Sequence, residues 1–401
     1  MNIHEYQAKK ILSRFGVVIP EGRIAYTPNE AKNAAISVFP RGPWMLKAQI
    51  QSGAREKGHF IEETAGKGGG IRLIKRRRDL SPMAKQMLGA TLCTPQTGPK
   101  GKPVGRIYVE AFVKVKKKFY AAMIIDRVIP ALTLLICEPD EKGILDVAVH
   151  HPDKILKLNL NLEKGARKTQ IEKVRKFLNL PERSFPYLRN LISGMHKAFI
   201  SCDATMIEIN PAGVTRWGRI VALDAKMSFD NNALYRQPNI AVLQDEYESE
   251  EREIKAAKFG FKYSDFDGGS IGCIVNGDGI ALAAMDLIRK NGMDTTCFLN
   301  VKGGVDKDKI AAGIKIIMTN PRVEGILINI LGGFLRCNLL AEGIVSAASE
   351  VGLNVPLVVR FEGTNKEEAT EILQTSKLPI IIADNMEDSV DKLIAAVKET
   401  D

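Results

Sequence analysis

The stretch IGCIVNGDGIALAAMDLIRK at residues 271–290 decides the fold of the second half of this chain. Its first part, Ile271 to Val275, is a short continuous apolar run, which is typical of a strand buried on both faces. A glycine-containing turn, Asn276 to Gly279, leads into Ile280 to Lys290, where apolar residues recur with helical period. The stretch therefore predicts one strand–turn–helix unit of a parallel α/β sheet.

The same unit recurs towards the carboxyl end of the chain, so we predict a doubly covered, flavodoxin-like parallel sheet. Ligands of such sheets bind beyond the carboxyl ends of the strands, where the glycine-rich turns lie. The further strand–helix pairs are Gly325 to Ile330 with Asn338 to Glu350, Val355 to Arg360 with Lys366 to Gln374, and Pro379 to Ala383 with Met386 to Lys398. The predicted turn Leu331 to Gly333 joins the first pair, and the predicted turn Glu362 to Asn365 joins the second.

The amino-terminal half has a different pattern. Residues 3–16 are predicted to form a helix that ends at Gly16. Tyr120 to Arg127 and Ala131 to Cys137 are consecutive strands joined by a short turn, which favours antiparallel pairing. This half is therefore predicted to be α+β.

The most charged and least apolar segment, Gln244 to Lys258, indicates a connection between the two halves. We therefore predict a first domain over residues 1–240, a connection over 241–262 and a second domain over 263–401.

The composition limits the class of protein. Of 401 residues, 45% are hydrophobic and 26% are charged, which excludes a globally disordered chain. No apolar run reaches the roughly 18 residues of a membrane span, and the start of the chain shows no secretory signal. Six widely spaced cysteines without a Cys-x-x-Cys pair argue against a zinc site or a disulfide framework. These features predict a protein of a reducing, intracellular compartment, with no membrane partner.

The net charge of +10 is concentrated in two basic runs, Arg72 to Arg78 and Lys114 to Lys118. Neither run carries interleaved aromatic residues or a nucleic-acid-reading module, so we predict no nucleic-acid partner. Two interpretations stay open for the runs. They form a solvated surface, or they attract an anionic ligand such as a nucleotide or coenzyme A.

The segment Ala204 to Ser228 is predicted to be a hairpin with a turn around Pro211 to Gly218. The two-residue period of a strand places Glu208 and Asn210 on one face, and Asp224 on the return strand can converge with them. Oxygen ligands of this type suit Mg²⁺, which also keeps water and binds nucleotide phosphates. From spacing alone, a metal site and an exposed polar face are equally compatible with the segment.

Several motifs occur in the order found in one enzyme family. The chain resembles, from end to end, the β subunits of succinyl-CoA synthetase, the ADP-forming succinate–CoA ligases. The segments that carry the resemblance are MNIHEYQAKKIL (1–12), KAQIQSGAREKG (47–58), EINP (208–211), LDAK (223–226), NALYRQP (232–238), IGCIVNGDGIALAAMD (271–286), NILGGFLRC (329–337) and VPLVVRFEGTN (355–365).

The resemblance implies an amino-terminal ATP-grasp domain joined to a flavodoxin-like CoA-ligase domain. It also implies that Asn210 and Asp224 hold Mg²⁺ and that Glu208 acts in catalysis, near the phosphorylated histidine of a partner α subunit. Lys47, in the predicted strand Met45 to Ile50, resembles the lysine that contacts nucleotide phosphates, a compact charge well suited to that contact.

By the same resemblance, Glu110 matches the acidic residue of the adenine hinge, at the end of the predicted strand Arg106 to Glu110. Further positions expected to bind the nucleotide are Ala54, Arg55, Glu56, Val113 and Lys118.

Three of these positions, Ala54, Glu56 and Lys118, depart from the family pattern. The phosphate loop Gly53-Ala54-Arg55-Glu56-Lys57 replaces the usual G-G-R-G-K, so a bulky anion, Glu56, takes the place of a glycine. Lys118 stands where an acidic residue is usual. We interpret the chain as a working enzyme with altered nucleotide handling.

In the second half, Asn276 and the tripeptide Gly333, Phe334 and Leu335 resemble the positions that bind the carboxylate substrate. Both groups lie at predicted strand-to-helix turns, where free backbone amides and the positive helix end favour anions.

The five histidines, His4, His59, His150, His151 and His196, all lack the sequence context of a phosphoryl-relay nucleophile. The resemblance therefore implies that the nucleophile and most contacts to CoA come from a separate α subunit. The chain would be one half of an active site in an αβ heterodimer or heterotetramer.

The predicted function is that of a tricarboxylic acid cycle ligase that uses ATP rather than GTP, Mg²⁺, succinate and CoA, in a bacterial cytoplasm or mitochondrial matrix. Two alternatives stay open. A ligase for another dicarboxylate such as malate is suggested by Phe334 and Leu335, and a non-catalytic subunit that scaffolds the α partner is suggested by Glu56 and Lys118.

Overall fold

The computed structural model describes residues 1–138, 144–245, 250–301 and 306–400. The chain forms two compact units, Met1–Glu248 and Ser249–Asp401. The domain boundaries that the sequence suggested, with a connection over 241–262, stay a prediction.

The first unit is built from short helices around antiparallel sheets. Its helices are α1 (Glu5–Arg14), α2 (Pro28–Val38), α3 (Leu80–Met87), α4 (Ile144–His150), α5 (Lys168–Phe177), α6 (Phe185–Ser201) and α7 (Pro238–Ala241). Its strands are β1 (Gly22–Ala25), β2 (Trp44–Ala48), β3 (His59–Phe60), β4 (Ile71–Ile74), β5 (Thr91–Cys93), β6 (Lys102–Pro103), β7 (Ile107–Ala111), β8 (Lys117–Asp126), β9 (Ala131–Cys137), β10 (Ile155–Leu160), β11 (Ala204–Val214), β12 (Ile220–Ala222) and β13 (Ala225–Phe229).

These strands form three sheets, ordered β1-β7-β2-β4, β3-β5-β6 and β10-β9-β8-β11-β12, with β13 also paired to β11. Every strand pair in them is antiparallel, which confirms the α+β prediction for this half. One apolar core lies around Trp44 and Leu46 of β2. Another lies around Phe119 of β8, with Leu12 of α1 and Met195 of α6.

Helix α1 brings charged side chains into this unit. It is shorter than the predicted 3–16, because Gly16 adopts a left-handed conformation (φ 86°) just beyond it. Ile11 and Leu12 are buried, as the helical period predicts. Glu5 and Lys9 are buried as well, although charged side chains of a short helix usually face water.

The predicted hairpin over Ala204 to Ser228 forms with a different turn. Strand β11 continues through Pro211 to Val214, and its pairing with β8 shifts register between Ile209 and Ala212. A proline lacks the N–H that a regular ladder needs, so it is accommodated at such an irregularity. Asp224 lies between β12 and β13, which divide the return strand in two.

The second unit contains helices α8 (Glu251–Lys258), α9 (Asp278–Lys290), α10 (Lys307–Met318), α11 (Cys337–Val351), α12 (Lys366–Thr375) and α13 (Met386–Thr400). Its strands are β14 (Lys262–Asp265), β15 (Ile271–Val275), β16 (Thr295–Asn300), β17 (Gly325–Arg336), β18 (Leu357–Thr364) and β19 (Ile380–Ile382).

These strands form one sheet in the order β14-β16-β15-β17-β18-β19, parallel except for β14 at the edge. Apolar clusters lie on both faces, so the prediction of a doubly covered parallel sheet is confirmed. Strands β14 and β16 and helix α10 were not predicted.

Two predicted turns of this unit are wrong. The Leu-Gly-Gly turn after Ile330 and the Glu362 to Asn365 turn lie largely within β17 and β18. The reason is that Leu331 pairs with Glu362, and Gly332 with Gly363, so the two chains stay extended further than their apolar residues indicate. Among the described residues, no helix combines the length and apolar character needed to cross a bilayer.

Candidate functional site

A buried cluster of charged side chains lies at the meeting point of α1, β2 and β7. The Lys47 ammonium group is 2.8 Å from Glu5 Oε1 and 2.5 Å from Glu110 Oε1. The Lys9 ammonium group is 2.8 Å from Glu5 Oε1 and 2.6 Å from Glu110 Oε2. Both ammonium groups also donate to the carbonyl oxygen of Leu223.

Arg55 connects this cluster to the β12–β13 segment. Its Nη2 is 2.6 Å from Glu5 Oε2 and 2.7 Å from Asp224 Oδ2, and its Nη1 donates to the carbonyl oxygen of Ala48. The structure therefore brings together four residues that the sequence placed in one site, Lys47, Arg55, Glu110 and Asp224.

The ionised forms of Glu5 and Lys47 are favoured within this cluster. Burial opposes ionisation of Glu5, but the charges of Lys47, Lys9 and Arg55 hold the pKa of its carboxyl well below the usual value. Burial likewise opposes the charged form of Lys47, yet Glu110, Glu5 and Asp224 raise its pKa above the usual value. These groups stay charged at neutral pH because they compensate one another.

Asn210 and Asp224 lie side by side. The Asn210 backbone N–H donates to the Asp224 carbonyl oxygen at 3.2 Å, and Asn210 Nδ2 donates to Glu208 Oε1 at 3.3 Å. Ile207 and Ile209 are buried while Asn210 is exposed, which confirms the predicted alternation along the strand. Asp224 Oδ1 is buried and accepts no hydrogen bond from the described residues. This oxygen is thus available to a further electropositive partner.

The loop before β3 keeps Gly53, but Ala54 and Glu56 replace two glycines of the usual G-G-R-G-K pattern. Ala54 adopts a left-handed conformation (φ 54°) and precedes a 3₁₀ turn over Arg55–Lys57. Glu56 is exposed. The Gly53 N–H donates to Gln96 Oε1, and Lys226 Nζ donates to the same oxygen at 3.4 Å.

A cavity of about 230 Å³ lies beside these groups, lined among others by Glu5, Arg55, Gln96, Asp224 and Lys226. A larger cavity of about 920 Å³ lies against α5 and α6 and includes none of the predicted site residues in its lining. A choice by cavity size alone would therefore have placed the site against α5 and α6, away from the charged cluster.

Two predicted nucleotide residues lie outside the charged cluster. Val113 is half-buried in the segment between β7 and β8. Lys118 is exposed on β8, opposite Gly213 of β11. Neither makes a contact with the cluster among the interactions of the described residues.

In the second unit, Asn276 follows β15, and its side chain is hydrogen-bonded to Leu331 within the neighbouring strand β17. Its Nδ2 donates to the Leu331 carbonyl oxygen at 2.5 Å, and the Leu331 N–H donates to its Oδ1 at 2.9 Å. Asn276 thus lies directly after the carboxyl end of β15, beside Leu331 of β17. Gly333, Phe334 and Leu335 lie in β17, but their side chains lie outside the described residues.

Two of the five histidines are buried with partners. His4 Nε2 lies 2.6 Å from Asp245 Oδ2, and His196 Nε2 is within hydrogen-bond distance of the carbonyl oxygens of Asn161 and Leu162. His59, His150 and His151 are exposed.

Sequence reasoning missed Glu5 and Lys9, which complete the cluster. They are spaced i, i+4 on α1. That spacing is a weak signal, because such pairs are common on exposed helix surfaces.

Models of known domain families match both units. The ATP-grasp domain matches residues 2–214, and the CoA-ligase domain matches residues 274–394. The predicted combination of fold types is thereby confirmed.

Curated proteins of bacteria match the whole chain. Succinate–CoA ligase (ADP-forming) subunit beta of Acidiphilium cryptum is 45% identical over 399 residues, covering 100% of both chains. The protein of the same name from Rhodospirillum rubrum is 44% identical over 400 residues, again covering 100% of both.

Among solved structures, ATP citrate lyase from Methanothrix soehngenii, in complex with citrate and coenzyme A, superposes with a TM-score of 0.73 over 98% of this chain and 99% of that chain. Its sequence identity is only 14%, so this likeness concerns the fold alone.

Proposed function

Because the chain belongs to the β subunits of the ADP-forming succinate–CoA ligases, we propose that its first unit binds ATP with Mg²⁺ and phosphorylates a histidine of an α partner. The second unit binds succinate for conversion to succinyl-CoA, and the α partner supplies most contacts to CoA. We place this αβ complex in an intracellular compartment.

The observation that carries the proposal is the convergence of Asp224 with Arg55 and Lys47. Two cations and one carboxylate with an unused buried oxygen lie next to an asparagine amide. Cations at that point suit the phosphates, and the carboxylate suits a metal.

The residues present fit Mg²⁺. Asp224 Oδ1 is a buried oxygen that accepts no hydrogen bond from the described residues, and Asn210, whose backbone N–H donates to the Asp224 carbonyl oxygen, carries an amide oxygen on the adjacent strand. Such oxygen donors suit this hard cation, which when bound supplies charge neutralisation to the phosphates. We propose that Asn210 and Asp224 hold it and that Glu208, bonded to Asn210, orients that amide.

The chain's own cations position the nucleotide phosphates and neutralise their charge. Lys47 and Arg55 contact the phosphates and balance the charge that develops during transfer. Glu110, Val113 and Lys118 bind the nucleoside, and the backbone of Ala54 and Glu56 approaches the phosphates. Positioning and charge balance are the main contributions that phosphoryl transfer requires from a protein.

We propose that the carboxylate substrate binds at the ends of β15 and β17, near Asn276 and Gly333, Phe334 and Leu335. The Asn276 side chain fixes the Leu331 backbone there through two hydrogen bonds. The N-terminus of α9 begins two residues later and adds a favourable dipole for an anion.

Asn276→Ala is expected to raise the KM for succinate about tenfold or more. The reason is that the Leu331 backbone in β17 loses both hydrogen bonds that fix its position. The KM for ATP stays unchanged. Steady-state kinetics of the αβ complex, with each substrate varied in turn, measure both values. Asn291→Ala is the matched control, since Asn291 is exposed and its side chain also donates to a backbone carbonyl. Equal increases in both KM values would contradict this assignment.

Glu56→Gln is expected to tighten MgATP binding about three- to tenfold, because it removes an exposed negative charge beside the bound phosphates at nearly constant size. Titration calorimetry of the αβ complex measures the affinity. Glu63→Gln, an exposed glutamate in the following 3₁₀ turn, is the control. Unchanged affinity of the Glu56 variant would show that this side chain faces away from the phosphates, and weaker binding would contradict the expectation outright.

The proposed function as a whole is tested by co-expression with a cognate α subunit. We expect thioester formation that requires ATP, CoA and succinate together, and no thioester from the β chain alone. Thioester formation by the unaided chain would refute the division of the active site between two subunits.

A non-catalytic scaffold subunit is the second candidate. The ion pair between Arg55 and Asp224 favours it, because it places a cation on the carboxylate that would hold the metal. MgATP calorimetry discriminates between the two candidates. Saturable binding that requires Mg²⁺ supports the ligase, and no binding at millimolar ATP supports the scaffold.

A further inference from the structure

Lys9 is a fully buried lysine to which neither the sequence motifs nor the proposed function gives a role. Its side chain has no exposed surface and is surrounded by acceptors and by the ring of Tyr108, whose centroid is 5.4 Å from Nζ. A lysine is almost never buried so completely unless its charge is compensated.

The three acceptors of Lys9 are the same groups that accept from Lys47. Both ammonium groups contact Glu5 Oε1, one oxygen each of Glu110, and the Leu223 carbonyl oxygen. An ammonium group has three protons, so each lysine is fully satisfied by this set. Either lysine alone can therefore keep one cation in contact with both Glu5 and Glu110.

The charges of the cluster balance with both lysines present. Glu5, Glu110 and Asp224 carry three negative charges, and Lys9, Lys47 and Arg55 carry three positive charges. If Lys47 moves its ammonium group to a phosphate, the two buried glutamates lose one partner. Uncompensated buried charges cost several kcal/mol, so such a movement would be opposed without a second cation.

We propose that Lys9 is a positioning residue, a reserve counter-ion that keeps a cation in contact with both Glu5 and Glu110 when Lys47 turns towards a nucleotide phosphate. This rests on the proposed function, in which Lys47 contacts the phosphates. Lys9 itself does not reach the nucleotide, because its own ammonium group stays enclosed by the two glutamates, Leu223 and Tyr108.

The first test is a double-mutant cycle of thermal stability without nucleotide, made with the full β chain in its αβ complex. Lys9→Met and Lys47→Met each leave one ammonium group for both glutamates, and each is expected to lower Tm by about 4 °C or less. The double variant leaves Glu110 without either lysine, and its Tm is expected to fall by about 12 °C or more. This fall is well beyond the sum of the two single-variant losses.

The control for this cycle is Lys255→Met, which removes a lysine from an exposed ion pair with Glu251 and should leave Tm unchanged. Additive losses would overturn the proposal, because the lysines would then not substitute for each other. So would a Lys9→Met chain that fails to fold while Lys47→Met folds.

The second test is MgATP binding by calorimetry. In Lys9→Met, Lys47 must stay with the glutamates, so a smaller fraction of the protein has Lys47 turned towards the nucleotide. The dissociation constant for MgATP is therefore expected to rise about tenfold. The KM for ATP rises in parallel, while kcat stays within about threefold. Restoring the charge balance with Lys9→Met plus Glu5→Gln is expected to recover most of the affinity.

The outcomes separate this inference from the proposed function. A wild-type chain that does not bind MgATP refutes the proposed function, while the thermal cycle still decides whether the lysines substitute for each other. A wild-type chain that binds MgATP with an affinity equal to that of Lys9→Met refutes the role of Lys9 and leaves the proposed function intact.

Discussion

Asp224→Asn is expected to reduce ATP-dependent thioester formation by the αβ complex at least about 100-fold. The substitution keeps the size of the side chain but removes its charge. The Asp224 carboxylate contacts Arg55 through one oxygen, and its other oxygen is buried and accepts no hydrogen bond from the described residues. Both the metal and the position of Arg55 depend on that charge. The initial rate of succinyl-CoA formation at saturating MgATP measures the effect.

Asp153→Asn is the matched control, since Asp153 is exposed in a 3₁₀ turn of the same unit. We expect its rate to equal that of the unmodified chain. If Asp224→Asn kept more than a tenth of the rate with unchanged dependence on Mg²⁺, Asp224 would not be a metal ligand.

Glu5→Gln is expected to lower the free energy of unfolding of the first unit by about 3 kcal/mol at pH 7, because three buried cations then share two carboxylates. Glu5 contacts Lys9, Lys47 and Arg55 at 2.6–2.8 Å and is almost fully buried. Denaturant unfolding measures the loss.

The pH dependence of this loss is specific. The pKa of Glu5 is held below its usual value, so its contribution is complete above the pKa of an unfolded glutamate, about 4.3. It declines as the pH falls towards the lower pKa of the folded state. The difference between variant and wild type should therefore be constant above about pH 5 and shrink in stronger acid.

Glu172→Gln is the control for this prediction. Glu172 forms a half-buried ion pair with Arg175 outside the cluster, and its replacement should leave unfolding nearly unchanged. A Glu5→Gln variant as stable as the wild type would show that the cluster makes no net contribution to folding.

The placement of some candidate-site residues could be predicted because they lie on neighbouring strands or directly after an apolar strand. Asn210 and Asp224 converge because β11 and the return segment are antiparallel neighbours. Asn276 lies at the carboxyl edge of a parallel sheet because it follows an apolar strand directly. Such placements follow from local geometry.

The positions at which strands β11, β17 and β18 end could not be predicted from the local sequence in the same way. β17 and β18 extend beyond their apolar residues because Gly332 pairs with Gly363, and β11 passes through Pro211 because its partner shifts register. Pairing between distant segments decides where such strands end.

The sequence by itself determined the alternation of strands and helices, the antiparallel first half and the likeness to one ligase family. Only the tertiary structure placed Glu5 and Lys9 inside the protein. A short helix with charges at i and i+4 ordinarily faces water, and nothing local distinguishes this one. Glu5 is buried because Lys47 and Arg55, 42 and 50 positions further along the chain, compensate its charge, and Lys9 is buried because Glu110, 101 positions further along, compensates its own.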